Sequence, residues 1–218
     1  MNTHTPLTAA LAMAAVGAPL VCQAQDPANE FKVVTQLRAA GKNKEALETA
    51  EKVLKVYGNP ASRVAQQFAF YTPFFYWQKA EILTALGEYD KALSEHKKAL
   101  RLRRDNHLQQ PDIAASLNWI GNDLIQLGRL QEAKEQLEES LNIRKKVLDK
   151  RHPDLAWALI SLSEYYEKMG EFLRAIQLMQ EAYDIRKEQL RPGHPYTKEA
   201  EQRLNEIKKK ADGLNLTM

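Results

Sequence analysis

The sequence predicts an all-α protein, an α-solenoid of about four helical hairpins that ends in a C-terminal capping helix. Three observations support this fold class. Glycine recurs at intervals of 46, 41 and 42 residues, at Gly41, Gly87, Gly128 and Gly170. An alanine follows each of these glycines five residues later. Apolar residues around each glycine recur at steps of three and four, which is the spacing of an amphipathic helix.

Each recurring glycine is predicted to end the first helix of a hairpin, because glycine adopts a left-handed backbone conformation at little cost. Small residues such as Gly121 precede three of the four glycines by seven positions, where they allow two helices to cross closely. Pro111, Pro153 and Pro195 lie where the next unit should begin, and proline is accepted in the first turn of a helix. The units should therefore follow one another without long linkers.

The composition excludes several classes of protein. Of 218 residues, 44% are hydrophobic and 27% are charged, as in an ordinary soluble protein. The net charge of +3 is too small to predict binding to nucleic acid. The single cysteine, Cys22, excludes an intrachain disulfide and a zinc site built from cysteine pairs. No phosphate-binding glycine-rich loop or nucleophile turn occurs, so the sequence predicts no catalytic residue, no metal site and no cofactor.

Residues 1–24 are interpreted as a signal peptide that is cleaved after Ala24. The segment contains no Asp, Glu, Lys or Arg, and its apolar stretch of about 15 residues is shorter than a bilayer span of about 20. Two alternatives stay open. The segment is either an uncleaved apolar helix or part of a lipoprotein anchored at Cys22, although Val21 is an unfavourable residue directly before a lipidated cysteine. The expected location is the periplasm or the exterior of a bacterial cell, with no membrane-spanning segment after cleavage.

The units resemble tetratricopeptide repeats, and their spacing of 42 residues resembles the kinesin light chain type. The third unit carries the resemblance most fully, in Leu117, Ile120, Gly121, Leu124, Gly128, Leu130, Ala133, Leu137, Ser140 and Pro153. The first unit is degenerate, because Asn43 stands where an aromatic residue or leucine is usual. The second unit departs from the pattern at Lys79 and His96.

The register of the repeats sets the predicted boundaries. A degenerate first hairpin covers 25–59, the second unit 60–110, the third 111–152 and the fourth 153–194, and a capping helix and tail cover 195–218. One apolar stripe runs along the capping helix, formed by Tyr196, Ala200, Leu204, Ile207 and Ala211. A stacked array needs such a helix at its end, with one apolar face and one charged face.

The resemblance implies a concave groove, lined by the first helix of each hairpin, that holds a peptide or helix of a partner protein. Eight residues fall at groove positions: Phe74, Trp77, Glu81, Asn118, Asn122, Gln126, Trp157 and Glu164. Asn118 and Asn122 share one helical face, and their amides suit pairing with a partner's backbone. The alternative is that these amides bond neighbouring helices within the array.

The function predicted from the sequence is that of a non-enzymatic scaffold or adaptor of the bacterial cell envelope, whose partner is a protein or peptide and not nucleic acid. One alternative is a homo-oligomeric assembly protein that self-associates through residues 68–77. That segment holds seven of the chain's 17 aromatic residues, which either fill the core between units one and two or form an exposed patch. An enzyme or small-ligand binder that uses the groove is the least supported alternative.

Three local patterns add further predictions. Thr72 and Pro73 predict a helix N-cap followed by a first-turn proline, or a kink in one long helix from Pro60 to Leu86. His152 and His194 both precede proline at one repeat position, which favours helix-boundary residues over metal ligands. An arginine follows each of three glycines by sixteen residues, which favours local ion pairs near helix ends over an acidic ligand: Arg103, Arg144 and Arg186.

Overall fold

The computed structural model describes residues 26–214, which form ten helices and no strand. In chain order the helices are α1 (Pro27–Ala39), α2 (Asn43–Tyr57), α3 (Arg63–Gln67), α4 (Thr72–Ala85), α5 (Tyr89–Asp105), α6 (Gln110–Gln126), α7 (Leu130–Val147), α8 (Pro153–Lys168), α9 (Phe172–Gln189) and α10 (Pro195–Gly213). The predicted signal segment, with Cys22, lies outside the described residues. Within 26–214, no helix combines the length and the apolarity that a membrane span requires.

Eight helices form four hairpins that stack as a solenoid. The hairpins are α1–α2, α4–α5, α6–α7 and α8–α9, and α10 follows the last one. Each second helix packs against its own first helix and against the first helix of the next hairpin, and α9 packs against α10 in the same way. Each hairpin therefore packs on the next along the array, and the predicted all-α solenoid with a C-terminal cap is confirmed.

The recurring glycines end the first helices as predicted. Gly41, Gly87, Gly128 and Gly170 have φ angles of 71°, 77°, 71° and 77°, in the left-handed region that favours glycine. Gly121 has a different role, because a Cβ atom added there would lie 2.4 Å from Cδ2 of Leu137. This glycine lets α6 and α7 cross closely, as its small size predicts.

Histidine side chains cap the N-termini of α8 and α10. Nδ1 of His152 accepts a hydrogen bond of 3.1 Å from the backbone N–H of Asp154 at the start of α8. Nδ1 of His194 accepts one of 3.2 Å from Tyr196 at the start of α10. Each bond satisfies a donor that has no partner within the helix. The interpretation of both histidines as helix-boundary residues is confirmed.

The predictions for Thr72 need correction. One long helix from Pro60 to Leu86 is wrong, because the chain forms the short helix α3 and begins α4 at Thr72. The N-cap of α4 is Tyr71, and Thr72 is already helical. Oγ1 of Thr72 donates to the carbonyl of Tyr57 at 3.0 Å, so it fastens α4 to the end of α2 instead of capping its own helix. Pro73 does lie in the first turn, as predicted.

The aromatic segment 68–77 belongs mainly to the core. Phe75 is fully buried and stacks on Tyr57 of α2, with 5.5 Å between the ring centroids. Phe31 of α1 and Phe68 complete this cluster, at 6.2 Å from Phe75 and 5.9 Å from Tyr57 respectively. Phe70, which is 45% exposed, is the most accessible ring of the segment. The cluster fills the junction between the first and second hairpins, and its burial raises the pKa of Tyr57 to about 12.

The stripe on the capping helix is mostly as predicted. Ala200, Leu204, Ile207 and Ala211 are buried, and Leu204, Ile207 and Ala211 share a hydrophobic cluster with residues of α9. Tyr196 is the exception, because it lies in the first turn of α10 and is exposed. Its ring packs on the neighbouring first helix α8 instead of joining the core.

The recurring arginines are buried within the array: Arg103, Arg144 and Arg186. Arg103 donates to the carbonyl of Asp112 at 2.9 Å and Arg186 to that of Tyr196 at 2.8 Å, so each links a second helix to the next first helix. Arg186 also forms an ion pair of the predicted kind, 3.5 Å from Glu199. For Arg103 and Arg144, backbone carbonyls take the place of the expected carboxylates. Their burial contradicts the alternative of a ladder that binds an acidic ligand.

Candidate functional site

The eight predicted groove residues lie on three neighbouring first helices. Phe74, Trp77 and Glu81 are on α4, Asn118, Asn122 and Gln126 on α6, and Trp157 and Glu164 on α8. We call one face of the array the first-helix surface. It is formed by the first helices α1, α4, α6 and α8 and by the capping helix α10. Whether these residues contact a partner stays a prediction, but the structure shows what each of them contacts within the chain.

A polar contact joins each pair of neighbours on the first-helix surface. The contacts are Arg38–Glu81 (3.1 Å), Thr84–Asp123 (3.1 Å), Gln126–Glu164 (3.0 Å) and Arg203–Glu167 (3.3 Å). Glu167 pairs with Lys210 of the capping helix as well. Much of the charge on this surface is therefore already compensated, which leaves aromatic rings and amides as the groups that a partner would meet.

The two asparagines on α6 differ in what they contact. Asn118 is only 7% exposed, and its Nδ2 donates to Oγ of Ser161 on α8 at 2.9 Å. The side-chain N–H of Asn118 therefore bonds a neighbouring helix of the array, as the alternative to partner binding predicts. The Oδ1 atoms of Asn118 and of the half-buried Asn122 have no hydrogen-bond partner among the described residues. A buried acceptor without a partner costs about 1–3 kcal/mol, so a donor that reached either oxygen would stabilise it, but both atoms are themselves buried.

The chain's three tryptophans lie on three successive first helices, α4, α6 and α8. A cationic or titratable side chain covers each indole: Arg38 over Trp77 (5.6 Å), His96 stacked on Trp119 (6.0 Å) and Arg186 over Trp157 (4.8 Å). Such contacts hold an aromatic ring in one orientation. All three indoles keep an exposed portion, and that of Trp157 reaches 41%.

Trp119 was not among the predicted site residues. It precedes Ile120 in the core stripe and follows Asn118 directly, so a comparison limited to fixed groove positions passes over it. The contact with His96 identifies it in the structure. The signal available in the sequence was simpler, namely that each of three consecutive units places its tryptophan in the first helix.

Exposed aromatic rings occur at two places on the first-helix surface. At the start of α4, Phe70 contacts Phe74, whose ring lies 5.3 Å from the guanidinium of Arg103. Between α8 and α10, Tyr196 packs edge-on against Trp157, with 5.3 Å between the ring centroids. Phe74 and Trp157 occupy the same repeat position, thirteen residues before the glycine. The buried arginines thus also support the rings that the surface exposes.

A cluster of buried charges lies behind the surface. His96 of α5 is fully buried, and its Nδ1 lies 2.6 Å from Oδ2 of Asp123 on α6. Its Nε2 lies 3.7 Å from Oε1 of Glu81 on α4, and Glu81 in turn pairs with Arg38 on α1. Burial lowers the pKa of His96, but the hydrogen bonds and charges of Asp123 and Glu81 outweigh this effect and raise it.

An open cavity of about 260 Å³ lies between α8, α9 and α10, beside Glu164. Its lining consists of Ile160, Glu164, Met179, Arg186, Glu199, Ala200 and Arg203. Apolar residues and charged residues both contribute to it, so it can accept an apolar side chain whose backbone stays near polar groups. Within residues 26–214, no three His, Cys, Asp or Glu side chains are grouped so as to hold a metal ion.

Models of the tetratricopeptide repeat match this chain at residues 75–106 and 112–188, which together make up half of its length. The matched ranges contain seven of the eight predicted groove residues, and Phe74 lies one position before them. No curated protein matches the chain.

Several solved structures share the fold. A repeat array from Podosopora anserina, assigned as a kinesin light chain with nearly identical repeats, is 20% identical with a TM-score of 0.64 and covers 85% of this chain and 86% of its own. BtubC (BKLC) from P. vanneervenii is 18% identical with a TM-score of 0.67, over 86% and 76% of the two chains. The apo form of RapI is 20% identical with a TM-score of 0.64, over 76% of this chain and 59% of its own. At these identities the similarity establishes the fold alone.

Proposed function

Because the chain belongs to the tetratricopeptide repeat family, we propose that it is a non-enzymatic adaptor that binds a segment of another protein on its first-helix surface. The observation that carries this proposal is the row of three tryptophans on consecutive first helices, each held by a cationic or titratable side chain behind it. Indoles are common anchors of protein interfaces, and a ring that is already held in place loses little entropy on binding.

The chemistry of the surface describes the segment that it would hold. Aliphatic or aromatic side chains would lie on the indoles of Trp119 and Trp157, and one of them would enter the cavity beside Glu164. The half-buried side-chain amide of Asn122 would pair with the segment's backbone after its buried Oδ1 atom turns outward. Since the charged residues of the surface are largely paired with one another, the partner needs no strong net charge.

The adaptor is proposed to act in the bacterial cell envelope. The support for this part is the uncharged apolar segment 1–24, with the small residue Ala24 where a signal peptidase would cleave. A chain without cysteine after that cleavage would be insensitive to an oxidising compartment.

Selection of peptides from a random display library against the full chain tests the binding function. We expect enriched peptides that contain apolar or aromatic residues, and we expect Trp157→Ala and Asn122→Ala to weaken their affinity. Leu173→Ala and Gln131→Ala are matched controls, since both residues are exposed on second helices, α9 and α7. Failure to enrich any peptide, or an equal affinity for both surface variants and both controls, would contradict the proposal.

A further inference from the structure

His96 occupies a position that is apolar in the other three hairpins. The residue nine places after the glycine is Ala50, Leu137 or Met179 there, and all three are fully buried. Asp123 is an exception relative to both neighbouring units, which carry the buried Ile82 and Tyr165 at its position, whereas the first unit carries the exposed Gln36. Two polar residues thus replace core residues on adjacent helices, and they contact each other at 2.6 Å.

The charged groups around His96 come from three further helices. Asp123 approaches from α6 and Glu81 from α4, and Arg38 of α1 reaches Glu81 at 3.1 Å. Thr84 of α4 donates to the second oxygen of Asp123 at 3.1 Å. The other charged groups nearby, Lys79 of α4 with Glu51 of α2 and Glu95 of α5, are paired among themselves at 3.1 and 3.5 Å.

The charge balance of this cluster depends on one proton. With a protonated His96, two carboxylates face two cations, and every member contacts an opposite charge. With a neutral His96, Asp123 keeps its negative charge in the core without a cation beside it. An uncompensated buried charge is strongly destabilising. The protonated state therefore favours the packed arrangement of α1, α4, α5 and α6.

We propose that Arg38, Glu81, His96 and Asp123 form a proton-dependent latch between the first three hairpins, which is closed when His96 carries its proton and loosens when that proton is lost. The latch also supports two of the three indoles, because Arg38 lies over Trp77 and His96 stacks on Trp119. Its release should therefore weaken binding on the first-helix surface, and this last step rests on the proposed function.

The direction of the pH dependence follows from the neighbours of His96. They raise its pKa above the ordinary value of 6.5 in the folded protein. The stabilisation is then fully present below that value, and it is lost as the pH rises through the raised pKa. The latch is closed below pH 6.5 and opens as the pH rises through the raised pKa of His96.

The first test needs no ligand. In an NMR titration of the full chain, the Cε1 proton of His96, assigned by its absence in His96→Gln, should titrate with a midpoint above 6.5. Asp123→Asn should lower that midpoint. A midpoint at or below 6.5 in the wild type would overturn the proposal.

The second test distinguishes the loss of the His96 proton from a general effect of pH on the stability of the protein. The double variant His96→Leu/Asp123→Ile installs the apolar residues that other hairpins carry at these positions, and such replacements of buried charges are often tolerated. The melting temperature of the wild type should fall by about 2–4 °C across the titration of His96, whereas that of the double variant should not change over this range. An equal fall in both proteins would contradict the latch.

The third test addresses binding. The affinity of a library-selected peptide should decrease by about fivefold or more through the same pH range in the wild type and stay constant in the double variant. A pH-independent affinity in the wild type would refute control of the surface by the latch. Absence of peptide binding at every pH would instead count against the proposed function, and the titration midpoint and melting curves would still decide the latch.

Discussion

The guanidinium of Arg186 on α9 lies 4.8 Å from the indole of Trp157 on α8. The same guanidinium lies 5.3 Å from the ring of Tyr196 on α10 and donates to its carbonyl. One buried side chain therefore holds the last hairpin, the capping helix and two exposed rings. The fold and the candidate binding surface share this residue.

Replacement of Arg186 should destabilise the C-terminal end of the array. We expect Arg186→Leu to lower the free energy of unfolding by about 2 kcal/mol, because the variant loses a charge-assisted hydrogen bond and two cation–π contacts. Denaturant unfolding measures the change, and Arg191→Leu, on an exposed residue, serves as the control. Equal stability of Arg186→Leu and the wild type would contradict the role given to this contact.

Gly121→Ala should be destabilising for a steric reason. The added methyl group would lie 2.4 Å from Cδ2 of Leu137, and overpacking of this kind costs about 1–3 kcal/mol. In a Leu137→Ala background the same substitution should cost less, because the clashing group is gone. Thermal melts of the two single variants and the double variant give the coupling, and strictly additive losses would argue against a direct clash.

Asn118→Ala and Asn122→Ala should have different effects. Asn118→Ala removes the bond to Ser161 and should lower stability by about 1 kcal/mol. Asn122→Ala removes an unpaired buried acceptor, so it should leave stability unchanged or raise it, while weakening the affinity of a selected peptide. Melting curves and binding isotherms of both variants check this pair of predictions, and a large loss of stability in Asn122→Ala would assign that residue to the fold.

The N-terminal segment should be removed on export. In a bacterial host, the full chain is expected to appear in the periplasmic fraction or the medium with Gln25 as its first residue. Intact mass and N-terminal sequencing of the purified protein measure this. Ala24→Phe should block processing at that site, and a protein retained in the cytoplasm with Met1 in place would contradict export.

Self-association through the aromatic segment makes a prediction about Phe70. Since Phe75 is buried and Phe70 exposed, an oligomer that uses this segment should dissociate in Phe70→Ser without loss of the fold. Sedimentation measures the oligomeric state of the wild type and of Phe70→Ser. Val147→Ser, which changes another exposed apolar residue, is the control for an effect of surface polarity alone. A monomeric wild type would rule out this alternative.

The sequence predicts the hairpins well because their boundaries depend on local properties. A left-handed glycine and a first-turn proline act within a few residues of one another, and their spacing repeats. Thr72 shows where local reasoning fails, because its acceptor is the carbonyl of Tyr57, fifteen residues earlier, which no local pattern marks. The same holds for Arg103 and Arg144, whose partners are backbone carbonyls of neighbouring helices.

The sequence marks His96 as a departure from the repeat pattern, but the pairing of His96 with Asp123 escapes sequence analysis for a different reason. A search for catalytic motifs tests the spacing between polar residues, and these two lie 27 residues apart on different hairpins. The repeats themselves contained the signal, because each residue is the polar member of a position that is buried and apolar in a neighbouring unit. The comparison that finds His96, extended to every polar exception, would also have identified Asp123.

The bond from Arg186 to the carbonyl of Tyr196 has a mechanical consequence. The corresponding bond of Arg103 links α5 to α6, so these two side chains fasten two boundaries along the array, one between the second and third hairpins and one between the last hairpin and the capping helix. Arg144 instead donates to the carbonyl of Ala114 within its own hairpin. Bending of the array at the two fastened boundaries would have to stretch these bonds as well as disturb the packing of the helices. A partner that spans several first helices would resist the same bending.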